Sequence, residues 1–251
     1  MAPERVIYLR LAYDGTRYAG WQIQPEEPTV QGVLMETLAV LEKAPVKVVG
    51  ASRTDAGVHA RGQGASFCTS SSIPPRGYLR GLNSLLPEDL AVREAREMPQ
   101  GFHARFSARG KHYRYRIWNE ERRDPLECRT AWHRLRALDL EAMARGAEHL
   151  VGRHDFESFR AASCDRENAV RELTRVEISA DGPLVAVDVE GTAFLKHMVR
   201  ILVGSLVEVG RGRRPPGWIA QALEQRNRAS AGPTAPACGL CLERVFYDEL
   251  A

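Results

Sequence analysis

The sequence has 251 residues, of which 44% are hydrophobic, and a formal net charge of +3 at pH 7. A chain of this length and composition can bury the core of one large or two small domains, which excludes an intrinsically disordered protein. It has no apolar run near the roughly 20 residues that cross a bilayer, and an alternating strand stands where a signal-peptide core would lie, so we expect a cytoplasmic protein without membrane contact.

Alternating and helical spacings predict the elements of the first hundred residues. Residues 5–13 alternate in hydrophobicity and end at Asp14-Gly15, which predicts a strand followed by a turn. Thr29 can cap a helix whose apolar residues recur at three- and four-residue spacing from Val30 to Leu41. The patterns then predict a strand at 46–49, a loop at 50–64, a strand at 65–67, and a helix with Leu79, Leu82 and Leu86.

The second half of the chain continues with hairpin and helix patterns. Residues 111–119 alternate and place Tyr113 and Tyr115 on one face, leaving the other face for solvent or phosphate. Asp139 can cap a helix that reaches Leu150. Two strands around residues 173–181 and 185–189, a helix at 194–209 and a strand at 240–247 follow. Hairpin-linked strands with interspersed helices predict an α+β fold with a largely antiparallel sheet.

Asp55 is the only acidic residue between Lys43 and Pro87. Arg53, His59 and Arg61 surround it, so the predicted loop holds one carboxylate among cationic side chains. Asp55 and Gly57 could simply build an Asx-type turn, which is the usual role of an anonymous Asp-x-Gly. Alternatively, a lone carboxylate in such a loop is a candidate nucleophile.

A second segment, residues 101–118, contains no acidic residue and mixes cations with aromatic rings. Of the 35 basic residues in the chain 31 are Arg, whose planar fork binds phosphate and stacks on bases, although coding bias explains an Arg excess equally well. Cations bind phosphates and aromatics stack on unpaired bases, which favours RNA binding; a solvated strand face over an ordinary core is the alternative. The residues concerned are Arg105, Arg109, Lys111, Arg114 and Arg116 with Phe102, Phe106, Tyr113, Tyr115 and Trp118.

The stretch Ser-Arg-Thr-Asp-Ala-Gly-Val-His-Ala at residues 52–60 resembles the active-site loop of the TruA family of tRNA pseudouridine synthases. Other segments are similar to that family in the same order along nearly the whole chain. They are Phe-His-Ala-Arg-Phe-Ser at 102–107, Tyr-Arg-Tyr at 113–115, residues 155–160, residues 197–206 and Gly239-Leu240 with Leu242. The loop alone is moderately specific, whereas the ordered set makes chance similarity very unlikely.

The resemblance implies a pseudouridine synthase fold with two related halves and an active-site cleft between them, which we place at residues 1–104 and 105–251. It implies isomerisation of uridine to pseudouridine at positions 38 to 40 of the tRNA anticodon stem-loop, without metal or cofactor. It also implies a homodimer with the tRNA crossing both subunits.

The resemblance also assigns site residues. Asp55 is the catalytic nucleophile, and Arg53 extrudes the nucleotide by taking its place in the base stack. Tyr113 stacks on the extruded uracil and assists proton transfer. Arg200 is expected to pair with the Asp55 carboxylate, and Leu240 to press against the uracil. From their patterns alone, Tyr113 and Leu240 are equally typical of core residues, and Arg200 of a surface arginine.

Three other readings compete with this one. A non-catalytic RNA-binding or RNA-chaperone protein would use the basic aromatic segment alone. An aspartyl-nucleophile hydrolase or phosphotransferase would need a second carboxylate near Asp55 to hold magnesium, and the loop has none. Cys238 and Cys241 have the spacing of metal and redox sites, but no second pair lies nearby, and five scattered cysteines predict free thiols in a reducing compartment.

Overall fold

A computed structural model describes residues 4–164 and 167–250. The remaining residues of the two predicted halves, 1–3, 165, 166 and 251, lie outside the described part of the chain. The described chain forms two compact units. Unit 1 contains residues 4–109 and 242–250, and unit 2 contains residues 110–241. Two compact units are not by themselves two related halves, so the halves divided at residues 104 and 105 stay a prediction.

Unit 1 is built on an antiparallel sheet whose central strand is β1 (Arg5–Tyr13). It pairs on one side with β4 (Leu90–Met98) and on the other with β3 (His59–Thr69), and β3 also pairs with the short β2 (Val49–Gly50). The part of β10 (Leu240–Phe246) that belongs to this unit lies next to β3. The strand predicted at 46–49 is wrong in its bounds, because β2 contains only Val49 and Gly50. β4, a strand rich in charged residues, was not predicted.

Strand β3 begins six residues earlier than the strand at 65–67 predicted from the sequence, because glycines within it are required by packing and not by turns. A Cβ atom at Gly64 would lie 2.3 Å from the hydroxyl oxygen of Tyr247. Glycine thus lets an aromatic side chain rest directly on the strand. The predicted loop at 50–64 is correspondingly shorter and ends at Val58.

Two helices of unit 1 match their sequence signals. α1 (Val30–Glu42) begins after Thr29, whose hydroxyl accepts a hydrogen bond from the Gly32 N–H at 3.2 Å, as the capping pattern predicts. α2 (Pro75–Leu85) starts at a proline, which has no N–H to leave unpaired at the first helical position. It lies against α1 and β4.

The longer strands of unit 2 pair antiparallel in the order β5, β9, β8, β7. Its strands are β5 (Gly110–Asn119), β7 (Gly152–Asp155), β8 (Val170–Asp181) and β9 (Leu184–Gly191), and the short β6 (Trp132–Arg134) pairs in parallel with β5. Tyr113, Tyr115 and Ile117 are buried on one face of β5, as the alternation predicts.

Three helices complete unit 2. α3 (Leu140–Glu148) is capped by Asp139, whose carboxylate accepts the Ala142 N–H at 2.9 Å, and packs on α4 (Met198–Gly210) and β8. α4 begins at Met198, four residues after the start predicted from the sequence at residue 194, because His197 adopts a left-handed conformation with φ of 60°. α5 (Trp218–Gln225) was not predicted.

The observed elements confirm the α+β class and the largely antiparallel pairing predicted from the sequence. In the described part of the chain no helix is long and apolar enough to cross a bilayer.

Asp188 in β9 is the most buried acidic residue of the sheet in unit 2, with 3% of its surface exposed. Its Oδ1 lies 2.5 Å from His112 Nε2 and accepts the Arg114 Nε–H at 2.9 Å, while Oδ2 accepts a second Arg114 N–H at 3.1 Å. Burial is the largest single influence and raises the pKa of Asp188, but the hydrogen bonds and charges of His112 and Arg114 together outweigh it and lower the pKa.

We predict that Asp188→Asn lowers the free energy of unfolding at pH 7 by about 1–3 kcal/mol, because hydrogen bonds to a charged group are lost. A lowered folded-state pKa contributes stability that is present above the unfolded value of about 3.9 and disappears as pH falls through the folded value. The deficit should therefore shrink below about pH 4. Urea titrations between pH 3 and 7 measure it, with the exposed Asp181→Asn as control; a pH-independent deficit contradicts the assignment.

Candidate functional site

Asp55 begins a tight turn between the end of β2 and the start of β3. The Val58 N–H donates to the Asp55 carbonyl at 3.1 Å, and Gly57 occupies the turn position that needs a positive φ, which is 75° here. The Gly57 N–H, which would serve an Asx turn, donates to the Tyr18 carbonyl at 3.3 Å. Main-chain hydrogen bonds thus form this turn.

A buried amide holds the chain just before Asp55. Gln63 on β3 is fully buried, and its side-chain oxygen accepts the Ser52 N–H at 3.2 Å while its NH2 group donates to the Ser52 carbonyl at 2.7 Å. The same NH2 group lies 3.4 Å from the Tyr13 hydroxyl, which is 2.8 Å from the Thr54 hydroxyl. We call Gln63, Tyr13 and Thr54 the loop clamp.

Further main-chain contacts fix the loop on its other side. The Trp21 N–H donates to the Thr54 carbonyl at 3.0 Å, and the Ala51 N–H donates to the Gly64 carbonyl at 2.8 Å. His59, which is buried at the start of β3, accepts the Gly15 N–H at its Nδ1 at 3.0 Å. Backbone groups in the loop therefore have partners in two separate segments of unit 1, residues 18–21 and β3, as a rigidly positioned loop requires.

The two charged residues predicted to act from this loop are both accessible. Arg53 is exposed, and Asp55 is half-buried. Thr54 between them is buried and hydrogen-bonds Tyr13, so side chains alternate between the buried and the accessible side of the loop at residues 53–55. The loop can therefore present a carboxylate and a guanidinium together to a bound molecule.

Tyr113 lies in unit 2, on β5 opposite Val189 of β9. It is 5% exposed, and the Phe194 ring meets it edge-on with ring centroids 5.0 Å apart. This packing fixes the ring plane, which a stacking surface requires as much as a core residue does. Its predicted contact with uracil stays a prediction.

Arg200 on α4 is half-buried and held in place, which argues against the alternative of an ordinary surface arginine. Its Nε–H donates to the Ala235 carbonyl at 2.8 Å, and the Ala235 N–H donates back to the Arg200 carbonyl at 3.0 Å. Its positive charge also reaches Cys238: burial raises the pKa of that thiol, and Arg200 opposes the rise. The guanidinium thus lies close to the segment that leads into β10.

Leu240 begins β10 and is buried. The chain before it runs against β5, since the Tyr115 hydroxyl donates to the Pro236 carbonyl at 2.8 Å and a Cβ at Gly239 would lie 2.6 Å from the Tyr115 ring. Unit 2 therefore brings Arg200 and the approach to Leu240 together around Tyr115. Cys238 and Cys241 flank Leu240 as free thiols, and no cluster of metal-binding side chains occurs among residues 4–164 and 167–250.

Comparison with known proteins decides the family. A family model described as tRNA pseudouridine synthase matches residues 11–107 and 147–248. The tRNA pseudouridine synthase A of Myxococcus xanthus is 52% identical over 96% of this chain and 91% of its own length. The protein of the same name from Geobacter sulfurreducens is 53% identical over 97% of this chain and 100% of its own length, and that of Syntrophotalea carbinolica is 50% identical over 96% of both.

The chain belongs to the tRNA pseudouridine synthase family. The match confirms the resemblance drawn from residues 52–60 and from the motifs that follow them. Both matched regions of the family model include predicted site residues, with Arg53 and Asp55 in the first and Arg200 and Leu240 in the second. Tyr113 falls between the two matched regions.

Sequence reasoning missed the loop clamp. Gln63 stands between two glycines in the stretch predicted as a loop, and nothing in that pattern indicates a buried side chain. Tyr13 ends the alternation of residues 5–13, and nothing in its spacing indicates that its hydroxyl hydrogen-bonds that of Thr54, 41 residues away.

We predict that Gln63→Leu loosens the loop, because the Ser52 N–H and carbonyl lose their partners. The free energy of unfolding should fall by about 1–3 kcal/mol, the usual cost of leaving buried polar groups unsatisfied. Amide hydrogen exchange measured by mass spectrometry should accelerate in residues 51–58.

Gln31→Leu is the matched control, since Gln31 also bonds two main-chain groups of unit 1, the Val48 carbonyl and the Ile23 N–H. It should destabilise the protein without selectively exposing residues 51–58. Equal exchange rates in the loop for the two variants would contradict the role of the clamp.

Proposed function

We propose that this protein isomerises uridine to pseudouridine in tRNA, with Asp55 as the nucleophile. The observation that carries the proposal is a half-buried carboxylate on a loop fixed by the clamp, in a chain that belongs to the tRNA pseudouridine synthase family. The relatives named above carry the same activity in their names.

The reaction explains why one well-placed carboxylate is sufficient. The bond between uracil N1 and ribose C1′ breaks, the uracil turns, and C5 bonds to C1′; C5 then loses its proton and N1 gains one, so the product is an isomer. No electrons enter or leave, and the chemistry needs a nucleophile and a pocket that holds the free base. Asp55 can attack either the uracil ring or C1′, since a carboxylate serves both routes.

The remaining site residues have roles that rest on the resemblance. A base inside a stem must be extruded, at a cost of a few kcal/mol in lost stacking. Arg53 is exposed on the loop, and its planar cation is suited to fill the vacated stack and bind the adjacent phosphate. Tyr113 stacks on the extruded uracil, Leu240 presses against it, and Arg200 orients the carboxylate.

We also propose a finer assignment of substrate and setting. The target uridines are those at positions 38 to 40 of the anticodon stem-loop, and the working form is a homodimer in the cytoplasm. These proposals rest on the TruA resemblance and on the names of the relatives.

Asp55→Asn should abolish turnover and keep tRNA affinity largely intact, because phosphate contacts supply most of the binding energy and the amide cannot act as a nucleophile. Tritium release from a tRNA transcript labelled at uridine C5 measures turnover, and fluorescence anisotropy measures affinity. Glu88→Gln, an exposed carboxylate of the same unit, is the matched control and should retain both.

An affinity that falls in proportion to activity in Asp55→Asn would contradict the nucleophile assignment. Wild-type protein that binds tRNA tightly and releases no tritium from any transcript would support a non-catalytic RNA-binding protein instead.

Binding of tRNA should weaken steeply with salt, and Arg53→Ala should flatten the slope of log K against log salt by about one, the loss of one phosphate contact. Arg53→Lys keeps the charge and should restore that slope. It should not restore the tritium-release rate, because an ammonium group cannot fill a base stack as a planar guanidinium does. A flat salt response of the wild type, or full rescue of the rate by Lys, contradicts this role.

A further inference from the structure

Phe106 is the most exposed aromatic side chain among the large hydrophobic residues that the structure leaves in solvent, with 75% of its surface accessible. Full burial of such a ring would gain about 1.5–3 kcal/mol, so its exposure in a well-packed unit calls for an explanation. It lies in unit 1 in the turn after β4, a segment that neither the loop clamp nor the predicted uracil pocket includes.

The turn that carries Phe106 is rigid. The Ser107 N–H donates to the His103 carbonyl at 2.9 Å, and the His103 N–H donates back to the Ser107 hydroxyl at 3.2 Å. Ala104 is fully buried, with its N–H bonded to the Ser66 hydroxyl at 3.0 Å and its carbonyl to the Tyr247 hydroxyl at 2.7 Å. The ring is therefore held outward by its backbone.

The side chain itself is also oriented. The His103 ring stacks on Phe106 with centroids 4.3 Å apart and an angle of 24° between planes, and His103 Nδ1 accepts the N–H groups of Arg105 and Phe106 at 3.2 Å each. The Arg105 guanidinium lies 5.7 Å from the Phe106 centroid. His103, Phe106 and Arg105 together form what we call the exposed platform: two stacked rings, with the Arg105 guanidinium over the Phe106 ring.

The charge around the exposed platform selects its partner. Residues 101–109 contain no acidic side chain, and Arg105 is the exposed cation beside the ring. Arg109, three residues after Phe106, is paired with the Asp248 carboxylate at 2.7 Å. A protein surface that docked here would bring apolar groups, whereas a nucleic acid brings both a phosphate for the cations and a flat base for the ring. Bases within a duplex have their faces covered, so only an unpaired base can use the platform.

We propose that the exposed platform stacks on an unpaired base of the bound tRNA, so that Phe106 is a positioning residue for the substrate. This inference rests on the proposed function for its substrate and adds a contact outside the reacting nucleotide. The rigid turn makes the contact inexpensive in conformational entropy, since neither backbone nor ring must be ordered on binding.

Phe106→Ala should weaken binding of an unmodified tRNA transcript by roughly five- to a hundredfold at one fixed salt concentration, as measured by fluorescence anisotropy. Phe106→Trp should bind at least as tightly as wild type, whereas Phe106→Leu, which keeps apolar area but lacks a flat π face, should resemble the Ala variant. The slope of log K against log salt should be unchanged in all three, because no phosphate contact is removed.

Leu126→Ala is the matched control. It removes another exposed apolar side chain, which is 90% accessible in unit 2, and should bind as wild type.

A blunt RNA duplex without unpaired bases should bind wild type and Phe106→Ala equally. Equal affinities of wild type and Phe106→Ala for tRNA, or the same loss for the duplex, would overturn the proposal. The proposal would also be overturned if a second copy of the chain covers the platform. In that case Phe106→Ala would change the sedimentation coefficient of the free protein, and Phe106→Leu would have the wild-type value. Tritium release by the wild type is measured in parallel, so a failure of the platform is distinguishable from a failure of the proposed isomerisation.

Discussion

The loop that carries Asp55 depends on one buried amide group. Gln63 satisfies both main-chain groups of Ser52 and approaches the Tyr13 hydroxyl, so three residues before Asp55 the chain has little freedom left. A glutamine suits this task because it offers an acceptor and two donors without a charge, and a charged group buried at the same point would require its own counterion. The carboxylate can then be half-exposed and still be accurately placed, because its position is set by the backbone.

This arrangement separates rigidity from accessibility. The supporting side chains are buried, namely Thr54 in the loop and His59 and Gln63 on β3. Arg53 and Asp55 are accessible. The exposed platform at residues 103–106 follows the same design: a buried alanine anchored on both main-chain groups supports a ring that lies in solvent. For a large folded RNA, contacts presented on fixed backbones cost less ordering than contacts on mobile loops.

Sequence reasoning worked where the physical signal is local. The caps at Thr29 and Asp139 and the alternation of β5 depend on neighbours a few residues apart, and the structure has all three. It failed where a distant partner decides, as at Gly64, whose missing side chain makes room for Tyr247, and at His197, whose left-handed backbone delays α4. Asp55 stood out as a candidate because it is the only acidic residue between Lys43 and Pro87, whereas the glutamine that holds its loop did not, since Gln63 carries no charge and follows no periodic pattern. The family motifs identified the loop without indicating what holds it.

Unit 1 is made of two chain segments that are far apart in the sequence, which has a consequence for biosynthesis. Its core includes Tyr247, which meets the rings of Tyr8 and Phe102, and the Arg109 N–H donates to the Phe246 carbonyl at 2.9 Å. The ribosome makes residues 110–241 between these partners, which at about 5–20 residues per second takes on the order of ten seconds. During that interval β3, at whose start the Asp55 loop ends, lacks β10 along an edge that β2 covers only at residues 65 and 66. The uncovered part of that edge is open to aberrant pairing until β10 is made.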